Sequence, residues 1–421
     1  MDRDPQIVIF IHSTIYGGVE VLITRFAQFL DQKKIKFLLI TRKNSRIAKQ
    51  LAWANQIDVE EIQKIPESIT HIFIPNVCTL KNRFGLEHFK NAKAFSLIVH
   101  PSEIFSSLFP CVQKLLEITG LRSSFFVKKI LWKHNSKVCF LLDHMISHNG
   151  LAAIDGATLR GLRYFYPEIP SERVPLIQIP STPIVLSSAT RIPNPRVLHI
   201  GYLGRMDAFK FSAIGSFINE HLKSGTCDDL QVTLHFVGEG DHLDRLARIC
   251  RDCGVHFLDY GFKFGDQAIT ILRKHCDFAI AMGTASLDLA GAGIPTIIID
   301  PAHRASQKAQ NKFRFVHELE DFTFGEFRDS PHYREGLHNF TEVIKSIKED
   351  KTIAKKGVDY INENHNPTIV FEKLYDNILQ SNLKIEELTP LSNAVYESYR
   401  KLDLGIRKTV TPIQRFLRNL I

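Results

Sequence analysis

HIGYLGRMDAFK, residues 199–210, is the stretch that decides the fold of this chain. Its apolar residues form a strand that ends at Gly204, and Arg205 and Lys210 follow. Open α/β sheets bind ligands in the crevice at the carboxyl ends of their strands. Arginine grips a phosphate through two hydrogen bonds, and lysine adds a point charge. The pair therefore predicts a site that neutralises a diphosphate without a metal, with a solvated basic loop as the alternative.

On both sides of this stretch, short apolar runs alternate with segments of helical periodicity. This alternation is typical of a parallel sheet layered by helices. The first series of predicted strands covers 6–11, 36–41, 71–75 and 95–99. The second series covers 196–204, 230–238, 255–260, 278–282 and 296–300.

A segment rich in proline, serine and threonine separates the two series and predicts a linker. The chain is therefore expected to divide into two α/β halves followed by helices. The expected parts are an N-terminal domain over 1–180, a linker over 181–195, a C-terminal domain over 196–365, a helix within 366–382 and a basic helical tail over 383–421.

The composition is that of a globular protein and excludes several classes. With 421 residues, 44% of them hydrophobic, the chain is too long for one small domain and too apolar for extended disorder. The net charge of +8 suits an anionic small ligand or a membrane surface but is too diffuse to indicate nucleic acid. Seven scattered cysteines and the lack of a signal peptide or long apolar run predict a cytoplasmic protein.

A second motif, MGTASLDLAGAGIPTIIID, occupies residues 282–300. Gly283, Thr284 and Ser286 stand where a helix of small residues begins, and N–H groups and hydroxyls at a helix start bind anions. Asp288 is expected in the first turn, where its carboxylate can accept hydrogen bonds from ribose hydroxyls. The alternative is plain helix capping by the hydroxyls, with the aspartate favouring the helix dipole.

The third motif, FVGEGDHLDRLARICRDCGVHFLDYGF, covers residues 236–262 and predicts a strand, an amphipathic helix and another strand. Gly238 and Gly240 lack the third glycine of the dinucleotide-binding fingerprint. Gly261 and Phe262 could border a pocket for a base, although core packing is the commoner role of such a phenylalanine.

The order of these motifs resembles that of the GT-B glycosyltransferases, most closely the group-1, family-four nucleotide-sugar enzymes. Four short motifs carry a resemblance that extends over about 10–380. They are Gly-Gly-x-Glu at 17–20, Gly-Arg with a following lysine at 204–210, Val-Gly-x-Gly at 237–240, and an acidic helix ending in Gly-x-Pro at 288–295. The resemblance implies two Rossmann-like domains facing a central cleft, the first holding the acceptor and the second the nucleotide sugar, with the helix of 366–382 crossing back to the first.

The resemblance also implies roles for single residues. Arg205 and Lys210 would hold the diphosphate, and Asp288 matches the family's ribose-binding glutamate. Gly17 and Gly18 would let the backbone approach the phosphates. The expected donor-binding residues are Gly17, Gly18, Gly204, Gly238, Gly261, Phe262, Gly283, Thr284, Ser286 and Asp288, and the expected catalytic residues are His100, Arg205 and Lys210.

Three other polar residues are candidates in the acceptor domain. His100 ends a predicted strand where the family often has a histidine facing the cleft, which contacts the sugar or accepts a proton. His12 follows the first strand, and either histidine could instead be a buried structural residue. The segment 141–150 parallels a family strand that leads to a serine in the cleft, which makes Ser147 a candidate.

Two motifs depart from functional patterns. The family's first glutamate should stand with a Gly-Phe-Gly stretch, where this chain has Met282–Ser286. Cys250 and Cys253 stand alone without a second pair and are expected on one helix end, so they do not predict a metal site.

Two basic segments leave two interpretations open. RSSFFVKKILWKHNSK, residues 122–137, mixes aromatic rings with lysines, and the tail adds further arginines and lysines. Such segments fit helices lying on anionic lipid at the inner face of a membrane, or solvated helices with one core face.

We therefore expect a metal-independent hexosyltransferase that moves a sugar from a nucleotide-diphosphate sugar to a hydroxyl of a glycan or glycolipid, in surface polysaccharide synthesis. The resemblance implies retention at the anomeric carbon. No cofactor, resident metal or nucleic-acid partner is expected. The alternatives are a non-catalytic GT-B scaffold in a polysaccharide-assembly complex and a GT-B sugar-nucleotide epimerase.

Overall fold

The computed structural model describes residues 7–12, 18–66, 68–75, 85–99, 125–181, 196–223, 230–263, 265–301, 310–328 and 333–418, with the backbone alone for 125–135, 164–165, 402–403 and 405–418. The chain forms two compact units. Unit 1 comprises Met1–Gln178 with Thr368–Ile421, and unit 2 comprises Ile179–Pro367.

Strands and helices alternate through most of the described sequence. The strands are β1 (Ile7–Phe10), β2 (Phe37–Thr41), β3 (Gln56–Asp58), β4 (His71–Ile74), β5 (Lys93–Ile98), β6 (Leu151–Ala153), β7 (Val197–Leu203), β8 (Gln231–Val237), β9 (His256–Asp259), β10 (Phe278–Ala281) and β11 (Thr296–Ile298). The helices are α1 (Gly18–Gln32), α2 (Arg46–Gln50), α3 (Phe125–Ser147), α4 (Gly156–Phe165), α5 (Ala208–Phe217), α6 (Leu243–Asp252), α7 (Gly265–His275), α8 (Thr284–Gly291), α9 (Phe340–Glu349), α10 (Ile353–Asn364), α11 (Pro367–Gln380) and α12 (Ile385–Arg418).

Unit 1 is built on a six-stranded parallel sheet in the order β3-β2-β1-β4-β5-β6. Alternate residues of β1 enter different cores, because successive side chains of a strand point to opposite faces. Ile7 and Ile9 pack with α1 and α11, whereas Val8 and Phe10 share a core with α3 and α12. Helices therefore cover both faces, which explains why these strands are continuous apolar runs.

Unit 2 is built on a five-stranded parallel sheet in the order β11-β10-β7-β8-β9. The chain runs outward from β7 through β8 to β9, then returns to the other side of β7 for β10 and β11. The order therefore reverses between β7 and β10. In the core on one face of this sheet, the rings of Phe217, Phe313 and Phe340 pack edge to face, with centroids 5.2 to 5.9 Å apart.

The predicted α/β class and all nine predicted strands are confirmed. The structure adds two strands that the sequence pattern did not predict, β3 and β6, which are three residues long each. The strand expected over 141–150 is wrong, because α3 runs to Ser147. Leu141, Leu142 and Met145 are buried at helical spacing, and this periodicity was the signal for a helix.

Candidate functional site

The candidate site lies at the carboxyl edge of the sheet in unit 2, where the strand order reverses. Two neighbouring strands, β7 and β10, end there, and Ile280 of β10 pairs with Tyr202 of β7. In open α/β sheets the loops after two such strands border the ligand crevice. Those loops hold the first two sequence motifs, so the topology brings the cations of 204–210 and the helix start of 283–288 to one edge.

The loop after β7 fixes its arginine through an aspartate. Asp207 caps α5: one carboxylate oxygen accepts the Lys210 backbone N–H at 3.4 Å, and the other accepts Arg205 Nε at 3.2 Å. Among the described residues the two terminal nitrogens of Arg205 have no hydrogen-bond partner, and its side chain is 43% exposed. The guanidinium is therefore oriented but still has its bidentate edge available.

Lys210 is a partly buried cation beside the same aspartate. A Cβ placed on Gly204 would lie 3.7 Å from Lys210 Nζ, so the ammonium folds back to the end of β7. Burial lowers the pKa of Lys210; Asp207 opposes that shift and Arg205 adds to it. Within the described part of the chain, no carboxylate comes within 4.0 Å of this ammonium. The site therefore has a positive charge that an added anion would stabilise.

Glycines allow the loops after β7 and β8 to pack backbone against backbone. Gly204 N–H donates to Val237 O at 3.0 Å, and a Cβ on Gly238 would lie only 2.0 Å from Gly204 O. A Cβ on Gly240 would meet Met206 O at 2.5 Å. These glycines thus hold the cationic loop in place, whether or not they contact a ligand.

Gly261 and Phe262 follow β9 at the same edge. Gly261 O accepts the N–H of Gly238 at 3.1 Å, which joins the third loop to the first two. Gly261 has φ of 66°, and the Phe262 side chain is 40% exposed. The phenylalanine is therefore not a core residue, contrary to the packing alternative.

The loop after β10 begins with a glycine in the left-handed region. Gly283 has φ of 64°, and a Cβ there would meet nothing within 4 Å, so backbone conformation alone favours glycine. α8 begins at Thr284, whose hydroxyl has no hydrogen-bond partner in the described residues. No side chain caps the helix, so the capping alternative for the two hydroxyls is wrong.

Ser286 and Asp288 differ from what the sequence predicts. The Ser286 side chain is fully buried, and both its hydroxyl and its N–H donate to Gly283 O, at 2.6 and 3.0 Å. It has no donor left for a phosphate, which corrects the expectation that it binds the donor. Asp288 lies in the second turn of α8 rather than the first, and its Oδ1 accepts the Ser181 hydroxyl at 2.9 Å.

Residues 324–328, FGEFR, form a part of this edge that sequence reasoning missed. Phe324 O accepts the N–H of Gly283 at 2.7 Å, and the ring of Phe327 lies 6.0 Å from that of Phe209 at the start of α5. Phe209 in turn lies 5.8 Å from Lys210 Nζ. The segment therefore links the starts of α8 and α5. It has no strand or helix periodicity that could have revealed it.

A buried aspartate anchors that segment. Asp300, just after β11, accepts the Glu326 N–H at 2.9 Å and the Tyr333 hydroxyl at 3.0 Å. It also pairs with the Arg314 guanidinium at 2.9 Å. These bonds satisfy a carboxylate with no solvent exposure and hold 324–328 across the edge.

Comparisons with known proteins were informative for structure but not for sequence. No family model and no curated protein sequence matches the chain. HepE from Anabaena, solved in complex with UDP and glucose, is 12% identical, with a TM-score of 0.55 over 89% of this chain and 99% of that one. A glycosyltransferase from Rickettsia africae ESF-5 is 13% identical, with the same TM-score and coverage. The lipopolysaccharide outer core galactosyltransferase WaaB is 12% identical, with a TM-score of 0.52 and the same coverage.

The chain has the GT-B glycosyltransferase fold. The expected fold family is thus confirmed. At this level of identity the likeness concerns the GT-B fold alone.

Some of the predicted acceptor-side residues lie in the described part of unit 1. His12 follows β1 and accepts a hydrogen bond from Arg42 Nε, which follows β2. Burial, and then Arg42, lower the pKa of His12, which favours the neutral acceptor. Gly18 begins α1 at the same edge, and Glu20 in its first turn is buried. Sequence reasoning missed Arg42, which carries no motif.

Other expected residues fall elsewhere. Gly17, His100 and the linker residues 182–195 lie outside the described residues. Ser147 is exposed at the end of α3, before β6, and so lies at the amino edge of the unit 1 sheet rather than at its carboxyl edge. Its position corrects the expectation of a cleft serine.

Cys250 and Cys253 lie at the end of α6, as expected. Burial raises the pKa of Cys250 to about 12, and Cys253 Sγ donates to Asn219 Oδ1 at 3.2 Å. Both are buried thiols of the unit 2 core.

The two basic segments lie on α3 and α12, and the structure describes part of their side chains. The backbone of α3 begins at Phe125, and the aromatic and lysine side chains of 125–135 lie outside the description. In α12, Arg400 pairs with Glu397 at 3.4 Å. No helix in the described part of the chain combines the length and the hydropathy that spanning a bilayer requires.

Proposed function

We propose that this protein is a glycosyltransferase that moves a sugar from a nucleotide-diphosphate sugar to a hydroxyl of a glycan or glycolipid. The observation that carries the proposal is the cation pair Arg205 and Lys210 at the reversal of strand order in unit 2. HepE, which shares the fold, was solved with UDP and glucose. A nucleoside diphosphate is the anion that such a pair suits.

The chemistry follows from charge. When the glycosidic bond to the diphosphate breaks, negative charge grows on the leaving phosphate oxygen. Arg205 can bind two phosphate oxygens through its terminal nitrogens, and the Lys210 ammonium regains a favourable partner for its buried charge. Because both cations are already in place, they lower the barrier with little rearrangement and replace a metal in that step.

The remaining parts of the proposal assign the other predicted residues. Thr284 and the first N–H groups of α8 bind a phosphate, Asp288 accepts from ribose, and Phe262 borders the base. His100 contacts the transferred sugar, and the reaction retains the anomeric configuration. The product belongs to a surface polysaccharide, and the basic helices rest on anionic lipid while the acceptor is elongated.

The experiment is a panel of UDP-, GDP- and ADP-sugars, screened by thermal shift and then by calorimetry on the full chain. A ligand of the folded state raises its melting temperature. Arg205→Ala and Lys210→Ala are both expected to weaken donor binding. Lys210→Ala should also lower kcat/KM by about 100- to 1000-fold.

Matched controls are available on the opposite edge of the same sheet. Arg251 and Lys274 are cations in the last turns of α6 and α7, which precede β9 and β10. Arg251→Ala and Lys274→Ala should bind the donor normally. Normal transfer by Lys210→Ala would refute the leaving-group role.

A second candidate is a non-catalytic GT-B scaffold in a polysaccharide-assembly complex. It is favoured by the segment Met282–Ser286, which contains no carboxylate where the family's first glutamate stands. The scaffold predicts that no sugar nucleotide binds while a partner protein is retained. An epimerase of the same fold would convert the sugar nucleotide without any acceptor, which product analysis in the absence of acceptor distinguishes.

A further inference from the structure

The end of α3 and the first turn of α12 bring together two imidazoles and a carboxylate in unit 1. His144, His148 and Glu387 each offer one ligand atom, and these three atoms lie within 4.8 Å of one another. The histidines are four residues apart, a spacing that places both on one side of a helix. Glu387 comes from a part of the chain that is remote in sequence.

The distance between two of these atoms fits a shared cation. His144 Nε2 and Glu387 Oε2 are 3.3 Å apart, both atoms are buried, and neither has a hydrogen-bond partner among the described residues. A direct charge-assisted hydrogen bond would be about 2.7–2.9 Å long. Two ligands that each lie about 2.0–2.2 Å from a tetrahedral zinc are about 3.3–3.6 Å apart. The observed gap matches the edge of a coordination tetrahedron.

The second histidine keeps one ring nitrogen available for coordination. His148 Nδ1 lies 2.8 Å from the carbonyl oxygen of His144, which can only accept, so Nδ1 carries the proton. The lone pair of the neutral ring is therefore on Nε2. A backbone carbonyl that fixes the tautomer in this way is the usual outer partner of a metal-binding histidine. The Glu387 side chain is 39% exposed, which gives an ion a route from solvent.

The cluster lies at the amino edge of the unit 1 sheet. α3 leads directly into β6, and His148 O accepts the N–H of Asn382 at 2.8 Å. Leu383 O accepts the N–H of Ala94 near the start of β5. In parallel sheets the ligand crevice is at the carboxyl edge, so this cluster is separate from the proposed transfer chemistry.

We propose that His144, His148 and Glu387 bind one Zn²⁺ ion that joins α3 to α12. Two imidazole nitrogens and one carboxylate oxygen are a ligand set typical of zinc, with a fourth position left to water. The ion replaces one long ion-pair contact, between two buried atoms that lack hydrogen-bond partners in the described part of the chain, with three strong bonds. It clamps the start of α12 to the sheet of unit 1, whatever the enzyme transfers.

The test uses the full chain without a histidine tag, stripped with a chelator and then titrated with Zn²⁺. Calorimetry should give one ion per chain, and a saturating excess of about 100-fold over Kd should raise the melting temperature by about 5 to 10 °C. Co²⁺ offers an independent readout, because its visible absorption intensifies in a tetrahedral site. His148→Ala and Glu387→Gln should each weaken binding by more than about tenfold.

Two variants are matched controls for these changes. Glu386 is the adjacent carboxylate and pairs with Lys384 at 3.4 Å, and His256 is exposed in unit 2. Glu386→Gln and His256→Ala should keep full affinity and the full rise in melting temperature. No stoichiometric binding to the wild type, or equal binding by Glu387→Gln, would overturn the site and leave an ion pair only. If the chain binds one Zn²⁺ ion but no sugar nucleotide, the transfer proposal fails and the zinc site stands.

Discussion

The two loops that border the strand reversal of unit 2 differ in how their polar side chains are bonded. In the loop after β7, the terminal nitrogens of Arg205 and the ammonium of Lys210 have no hydrogen-bond or carboxylate partner among the described residues, and Asp207 orients the guanidinium. In the loop after β10, Ser286 gives both of its donors to the backbone of its own turn. The terminal nitrogens of Arg205 and the ammonium of Lys210 are therefore available to an anion, and so is the hydroxyl of Thr284, whereas the hydroxyl of Ser286 is not.

The largest expected effect tests the packing beneath the cationic loop. Gly238→Ala would place a Cβ 2.0 Å from Gly204 O, a backbone atom that cannot move aside cheaply. We expect a loss of more than about 4 kcal/mol in the free energy of unfolding. Gly283→Ala, in the other loop, meets open space and should cost only the backbone strain of about 1–3 kcal/mol. Chemical denaturation of both variants measures the difference, and equal losses would remove the distinction.

The next effect follows from the lowered pKa of Lys210. The ammonium form binds the diphosphate, so donor affinity should fall as the pH rises through that lowered pKa, earlier than an ordinary lysine would cause. Lys210→Arg cannot lose its charge and should keep its affinity across the alkaline range. Titrating a nucleoside diphosphate by calorimetry between about pH 7 and pH 10 measures both. An identical alkaline loss in the arginine variant would assign the titration to another group.

Asp207 is expected to matter for both position and stability. Asp207→Ala removes the cap of α5 and the partner of Arg205, which should cost about 1 kcal/mol in stability. Because the guanidinium then loses its orientation, donor affinity should fall by about 2- to 10-fold. Asp207→Ser restores a cap without the carboxylate, so it should recover stability while affinity stays low. Recovery of both would show that capping explains the whole effect.

The smallest effect separates two hydroxyls of the loop after β10. Thr284→Val removes a hydroxyl without a described partner and should weaken donor binding by about 2- to 10-fold at unchanged stability. Ser286→Ala removes one that the helix already uses, and should cost about 1 kcal/mol in stability with unchanged affinity. Calorimetry and thermal melting report the two quantities independently. The reverse pattern would make Ser286 the ligand contact.

The sequence carried much of the fold because its strongest signals are local. Continuous apolar runs such as 7–10 and 278–281 indicate burial on both faces, which parallel sheets impose. The errors come from weak signals. β6 has only three residues, and the apolar residues of 141–150 have the period of a helix although the family resemblance implies a strand there. In the site, the order of motifs pointed to Arg205 and Lys210, whereas the role of Asp207 in orienting Arg205 emerged only from the structure.

The sequence by itself determined that two α/β sheets form and that an arginine and a lysine follow the end of one strand. Tertiary structure alone decided that this strand is next to the reversal of strand order, that 324–328 crosses the same edge, and that Ser286 is internally bonded. It also brought Glu387 to two histidines of a distant helix. The physical reason is that burial and helical periodicity are properties of neighbouring residues, whereas hydrogen-bond partners and desolvation depend on which remote segments pack together.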